Sequence, residues 1–325
     1  MTDKALRPEK ALRLGTRRST LARAQSALVA EAVRELSGRP VELVEITTYG
    51  DTSREHLTQI GGTGVFVTAL RDALLSGEID FAVHSLKDLP TAQPDELTLA
   101  AVPRREDPRD ALIARDGLTL DRLPAGARVG TGSPRRRAQL NAYARSHGLA
   151  FETVPIRGNI DTRIGHVHGG RLDAVVLAAA GLHRIGRTGE VTDLLPVDTV
   201  LPAPGQGALA VECAAVNVDL AALLAGLDDP HTRAAVTAER SLLAALEAGC
   251  SAPVGALADL LADGQVVNEM RLRGAVGTLD GSTLVLLSTT GPVPTSHGDA
   301  IALGRELASE MLAKGAAGLM GERAH

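Results

Sequence analysis

The segment Thr131-Gly132-Ser133-Pro134-Arg135-Arg136-Arg137 has the composition of an anion-binding turn. It follows a short apolar strand pattern, Ala127 to Val129, and opens a helical one, Ala138 to Ala144. Gly132, Ser133 and Pro134 are helix-start residues: a turn former, an N-cap hydroxyl and a proline that has no N–H to leave unpaired. Free backbone N–H groups at a helix start attract anions. Three arginines in that first turn oppose the helix dipole, a cost that an anionic ligand between them offsets. A solvated basic face is the plainer reading, and the strand–turn–helix setting favours the anion pocket over it.

A second set is Val83-His84-Ser85-Leu86-Lys87-Asp88-Leu89-Pro90, which follows a buried strand. Lys87 and Asp88 read either as a surface ion pair or as a site pair. Asp88 is the one obvious carboxylate directed toward an arginine-rich region, where it stabilises a cation or moves a proton. Arginines recur beyond other strand patterns: Arg157 and Arg163 in Arg157-Gly158-Asn159-Ile160-Asp161-Thr162-Arg163, and Arg184 after Gly181. The planar guanidinium suits carboxylate or phosphate. Cys250 lies in Gly249-Cys250-Ser251-Ala252-Pro253, on a turn just past a helix pattern; it is either an accessible thiol or a small residue in a buried cap. Cys213, inside an apolar run, reads as core.

The elements that must position these groups show a duplication. Arg13-Leu14-Gly15-Thr16, followed by Arg17, Arg18 and Ser19, matches Arg128-Val129-Gly130-Thr131, followed by Ser133, Arg135 and Arg136. Val41 to Ile46 matches Phe151 to Ile156, and both lead to Asp-Thr, at Asp51-Thr52 and Asp161-Thr162. Gly77 to Val83 matches Gly170 to Val176. Where the first copy has His84 to Asp88, the second has the apolar Leu177 to Gly181. Each half reads strand, polar turn, helix, strand, helix, strand, which predicts two doubly wound α/β domains with mostly parallel sheets. Ligands of such sheets bind beyond the carboxyl ends of the strands, so two such domains face one another across an arginine-lined cleft. Val102 to Pro108 and Leu201 to Gly207 read as the two crossovers, with the character of a hinge. Gly61-Gly62-Thr63-Gly64 is either a lid or a surface loop. From about Asp229 a small α+β domain follows, with helices over Thr232 to Ala248 and Ala300 to Leu312 and strands near Val254, Met270 to Val276 and Thr283 to Ser288.

Composition narrows the function. The net charge is −5 and aromatics are 2%, which disfavours general adhesion to nucleic acid and removes stacking platforms for single strands. The nine histidines form no ligand set, so no metal is expected. With two cysteines, no signal-peptide pattern and no long apolar run, a cytoplasmic protein without membrane contact is expected.

Taken together the motifs resemble the porphobilinogen deaminase family over nearly the whole chain. The resemblance rests on Thr16 to Ser19, Gly61 to Phe66, Val83 to Pro90, Arg105 to Asp110, Val129 to Arg136, Arg157 to Asn159, Leu201 to Gly207 and Glu247 to Pro253. It implies two α/β domains like those of type II periplasmic binding proteins, 1–104 with 208–226 and 105–207, and a third α+β domain, 227–325. It implies a transferase that condenses four porphobilinogen molecules, with loss of ammonia, onto a dipyrromethane cofactor and releases hydroxymethylbilane for tetrapyrrole and haem biosynthesis. By the resemblance, Cys250 carries the cofactor as a thioether and Asp88 is the catalytic carboxylate. Lys87, Asp88, Thr131, Ser133, Arg135, Arg136, Arg157, Gly158 and Gln206 hold the cofactor, and Arg17, Ser19, Phe66, Arg157, Arg163 and Arg184 hold the substrate. It also implies a monomer whose product passes to the next enzyme of the pathway. Three residues depart from the family pattern: Thr63 stands in place of a lysine, Gly132 of a serine and Pro134 of a leucine. A solute receptor and a regulatory ligand-binding domain are the competing readings; the first leaves Cys250 without a role, and for the second no DNA-binding helix pair is read ahead of the first half.

Overall fold

The structure is a computed structural model that describes residues 10–46, 64–249, 252–263 and 266–320. Cys250 and residues 61–63 of the glycine-rich loop lie outside the described residues. The chain divides into two compact units, Met1–Pro103 with Leu209–Asp229, and Arg104–Ala208 with Pro230–His325.

In the first unit a five-stranded sheet is built from β1 (Leu12–Thr16), β2 (Val41–Glu45), β3 (Phe81–Ser85), β4 (Leu97–Ala101) and a strand from the return of the chain, Leu209–Ala214. In the second unit β5 (Asp110–Ala114), β6 (Arg128–Gly130), β7 (Glu152–Val154), β8 (Ala174–Ala178) and β9 (Asp193–Leu194) form another. The return strand is β10. The strand orders are β2-β1-β3-β10-β4 and β7-β6-β8-β5-β9. The two are one topology: the first three strands of each are parallel, and the fourth, β10 or β5, runs against its neighbours. That strand is the one next to a crossover in each case. The alternating pattern predicted the parallel strands. It did not show β4, β5, β9 and β10, which have no counterpart in the strand–helix alternation because they pair antiparallel.

The duplication extends to atoms. Asp80 accepts the Arg13 backbone N–H at 2.7 Å, and its counterpart Asp173 accepts the Arg128 N–H, also at 2.7 Å. A β-carbon on Gly15 would stand 2.2 Å from Ile79 Cδ1, and one on Gly130 would stand 2.5 Å from the matching Leu172 Cδ1. The glycine in each first strand is thus set by the close packing of the residue that leads into the third strand.

Helices cover both sheets. In the first unit α1 (Thr20–Ser37) is capped by Ser19, whose Oγ accepts the Ala22 N–H at 3.3 Å, and α2 (Gly64–Leu75) precedes β3. In the second, α3 (Pro134–His147), α4 (Ile160–His168) and α5 (Ala179–Arg184) follow β6, β7 and β8. Both α1 and α3 end on a glycine with positive φ, Gly38 and Gly148, which closes the helix with a backbone hydrogen bond. Buried Leu12, Leu14, Val29, Val33, Phe81 and Val211 form the core between α1 and the first sheet, each aliphatic contributing roughly 1.5–3 kcal/mol. Leu112, Val129, Leu140, Phe151 and Val176 do the same for the second.

The rest of the chain is α6 (Val218–Leu224), α7 (Pro230–Ala245), the antiparallel sheet β11 (Val254–Asp263), β12 (Val266–Gly277) and β13 (Leu284–Pro292), and α8 (His297–Ala313). The helix predicted over Thr232 to Ala248 starts two residues earlier and stops at Ala245, and Glu247 takes a positive φ of 53°. Buried Glu239 of α7 binds three segments of the second unit at once. It pairs with Arg105 at 2.5 Å and accepts the backbone N–H groups of Gly205 at 2.7 Å and Ala258 at 2.9 Å. The small sheet is thereby joined to both crossover segments.

Candidate functional site

The ends of β1, β3, β6 and β7 carry polar groups, while β8 runs into the apolar Ala178 to Gly181. In the first unit, β1 ends at Thr16, whose buried hydroxyl accepts from Ser26 Oγ at 2.9 Å, and the chain continues through half-buried Arg17 to the cap Ser19. Beside it, Gln25 of α1 donates to Ser85 Oγ at the end of β3 at 2.9 Å. A single 3-10 turn, Leu86–Asp88, follows. Leu86 and Leu89 are buried, Lys87 is half-buried and Asp88 is exposed. The turn therefore holds its two leucines inside and presents the Asp88 carboxylate outward. Phe66 falls in the first turn of α2.

In the second unit, the Thr131-to-Arg137 segment forms as its residue types dictate. Ser133 caps α3, with its Oγ accepting the Arg136 N–H at 3.4 Å, and Pro134 occupies the first turn. Thr131 is buried and accepts the Ser133 N–H at 3.2 Å. A β-carbon at Gly132 would stand 2.5 Å from the Ile156 carbonyl oxygen, so the departure to glycine at this position permits a close backbone approach. Asn159 caps α4 by accepting the Thr162 N–H at 2.8 Å. It follows exposed Arg157 and Gly158, whose φ is 109°.

The arginines divide into two kinds. Arg135 and Arg136 are buried, and both close on Asp110 at the start of β5, at 2.8 and 2.7 Å. Their other terminal nitrogens donate to the carbonyls of Leu201 at 2.7 Å and Val176 at 3.0 Å. Gln206 donates to Asp110 at 2.8 Å. Burial acts to raise the Asp110 carboxyl; the charges of Arg135 and Arg136 outweigh it and hold the group well below the usual carboxylate range. The second kind, Arg163 and Arg184, is half-buried. Burial pushes both guanidinium groups down, and the charge of Arg136 pushes Arg163 down further. Arg184 donates to the Gly207 carbonyl at 2.6 Å. Arg163 pairs with no carboxylate among the described residues, and its buried Nε has no hydrogen-bond partner there. Desolvated positive charge of this kind is stabilised by an anion from outside the protein.

Residue order does not single out three charged residues that these units bury. Asp110 is only one member of a motif, and Glu239 lies within a helix pattern. Glu212, a lone carboxylate in the apolar run Ala208 to Ala215, gave a usable signal, because a charge in such a run is buried and must be paired. Among the described residues no group of three His, Cys, Asp or Glu side chains is placed to hold a metal ion, and no helix is long and apolar enough to cross a membrane.

The repeated five-stranded topology, with its antiparallel strand next to each crossover, defines an α/β protein of two matching sheets carrying an additional small α+β element. Among solved structures the methionine binding protein MetQ is similar at a TM-score of 0.42 and 12% identity, over 67% of this chain and 89% of that one. Family models described as "Porphobilinogen deaminase, dipyromethane cofactor binding domain" and "Porphobilinogen deaminase, C-terminal domain" match residues 12–222 and 233–313. The chain is 82% identical over 322 residues to porphobilinogen deaminase 1 of Streptomyces avermitilis, covering 98% of this chain and 99% of that protein. It is 79% identical over 316 residues to porphobilinogen deaminase 1 of Streptomyces coelicolor, at 97% and 99% coverage. It is 58% identical over 308 residues to porphobilinogen deaminase of Thermobifida fusca, at 94% of each. The chain belongs to the porphobilinogen deaminase family.

Proposed function

We propose that this chain condenses four porphobilinogen molecules stepwise, with loss of ammonia, and releases hydroxymethylbilane. The observation that carries the reading is Arg163, desolvated beside Arg136 and without a carboxylate partner among the described residues. Each pyrrole ring of porphobilinogen bears an acetate and a propionate, so the growing chain is a polyanion, and it supplies the charge that Arg163 lacks.

A dipyrromethane cofactor fits the same chemistry, since its rings carry the same carboxylates. When bound, it supplies the pyrrole carbon on which the chain is lengthened. We assign Cys250 as its attachment, from its place in the family pattern. By the same family pattern, Lys87, Asp88, Thr131, Ser133, Arg135, Arg136, Arg157, Gly158 and Gln206 hold it. Arg17, Ser19, Phe66, Arg163 and Arg184, with Arg157, bind the incoming substrate. Because the terminal nitrogens of Arg135 and Arg136 already have internal acceptors, they act on the bound carboxylates through their charge and not through direct hydrogen bonds. Asp88, exposed on its turn, accepts hydrogen bonds from pyrrole N–H groups. Its negative charge stabilises the cation that develops as ammonia leaves and takes part in proton transfer. The small α+β element within the second unit is the cofactor-bearing domain, 227–325, beside α/β domains 1–104 with 208–226 and 105–207. Monomeric action in the cytoplasm, with the product passed to the next enzyme of the pathway, completes the proposal.

Intact mass of the denatured protein tests it. A covalent pyrrole adduct that reacts with Ehrlich's reagent, and is absent from Cys250→Ser, is the expected result. A bare mass that acquires no adduct on incubation with porphobilinogen would leave only an anion receptor.

A further inference from the structure

The proposed reaction leaves unused a buried charge cluster beneath the turn that presents Asp88. Its centre is Glu212, on β10 opposite Ala82 of β3, with no side-chain exposure. Arg71 of α2 grips it with Nη2 at 2.7 Å and Nε at 3.1 Å. His84 Nε2 lies 3.1 Å from Glu212 Oε2, the oxygen that also accepts from Arg71 Nε, off the direction of a good hydrogen bond. Gln93 Nε2 donates to Glu212 at 3.2 Å and to the Leu97 carbonyl at 3.2 Å. Burial acts to raise the Glu212 carboxyl, and its contacts with His84 and Arg71 outweigh that and hold it at about 2, so it is a permanent anion at neutral pH.

The partners are not scattered. His84 precedes Asp88 by four residues and Gln93 follows it by five. The segment between them is an arch, pinned inside by Leu86 and Leu89, with both feet on one carboxylate. An apolar residue of similar volume would fill the β10 position without the desolvation that a buried carboxylate suffers. What the carboxylate adds is direction, since hydrogen bonds and ion pairs fix orientation where apolar packing does not.

We propose that Glu212 is a positioning residue for the reaction: through His84 and Gln93 it fixes the turn that presents Asp88, and through Arg71 it ties α2 to the same point. This rests on the reading of Asp88 as the reacting carboxylate.

Glu212→Gln keeps the volume and removes the charge. With kcat counted per adduct-bearing molecule, we expect it to fall about tenfold or more while KM for porphobilinogen stays within about threefold. Gln93→Ala removes only the outer foot and leaves the Arg71–Glu212 pair; kcat should fall about threefold, at wild-type KM and melting temperature. Wild-type kcat in folded Glu212→Gln overturns the proposal, as does a higher KM at unchanged kcat. If Glu212→Gln fails to fold by circular dichroism, Gln93→Ala decides, and wild-type kcat there overturns the proposal. A wild-type protein with neither adduct nor turnover overturns the underlying reading of the function, which separates the two failures.

Discussion

Arg136 and Asp110 meet at 2.7 Å with both side chains buried, and Arg135 closes on the second Asp110 oxygen at 2.8 Å. One carboxylate thus holds two guanidinium groups from the first turn of α3, and that turn begins where β6 ends. The contact couples the strand brought in by the crossover to the helix that carries the arginines.

Asp110→Asn leaves two buried guanidinium groups facing a neutral amide. Breaking a buried pair from one side typically costs about 3–5 kcal/mol. Urea unfolding should show a loss of that order, and a loss no larger than that of an exposed pair such as Arg145–Asp280 would contradict the buried-pair account.

The same charges set an acid limit. Asp110 and Glu212 both have folded pKa values below their ordinary ones, from 4.5 to about 2 for Glu212. A depressed carboxylate contributes stability that is full above its unfolded pKa and is lost as pH falls through the folded one. Glu212 alone accounts for roughly 3 kcal/mol on this basis. Unfolding free energy should therefore be insensitive to these groups above about pH 4.5 and drop steadily between about pH 4.5 and 2. In Glu212→Gln that slope should be visibly shallower.

Asp88→Asn should leave the fold untouched, because Asp88 is exposed and its turn is held by buried Leu86 and Leu89. Loss of a contact made to charge developing in the transition state costs roughly a hundred-fold or more in rate. A steady-state assay should show that fall at wild-type melting temperature. Near-normal turnover would remove Asp88 from the chemistry.

Arg163 separates stability from function. It is desolvated and repelled by Arg136, so Arg163→Met should unfold no more easily than the parent, within about 0.5 kcal/mol, or be slightly more stable. If the guanidinium meets substrate carboxylate, KM should rise by about tenfold or more. A stability loss with unchanged KM would make Arg163 an ordinary structural residue.

Much of this protein was legible in residue order. Ser133 and Pro134 specify a helix start by local chemistry alone, and the start forms there. The duplicated Gly15 and Gly130, and Asp80 and Asp173, fall in equivalent contacts because short-range pattern dictates strand, turn and helix in each half. The family pattern of Asp88, Arg157 and Cys250 was likewise present in the chain as written.

What residue order did not contain is which charges face inward. Arg135, Arg136 and Arg163 are the same residue type in the first turns of α3 and α4. Only pairing of β5 with β8 places Asp110 beneath the first two and leaves Arg163 without a carboxylate among the described residues. Glu212 reads as an anomaly in an apolar run until β10 lies against β3 and brings it to His84, with Arg71 and Gln93 closing around it. Those partners are 141, 128 and 119 residues away in sequence, Arg71, His84 and Gln93 respectively. Local preference carries no information over such separations; the electrostatic need of a buried charge for a partner is met only when tertiary structure delivers one.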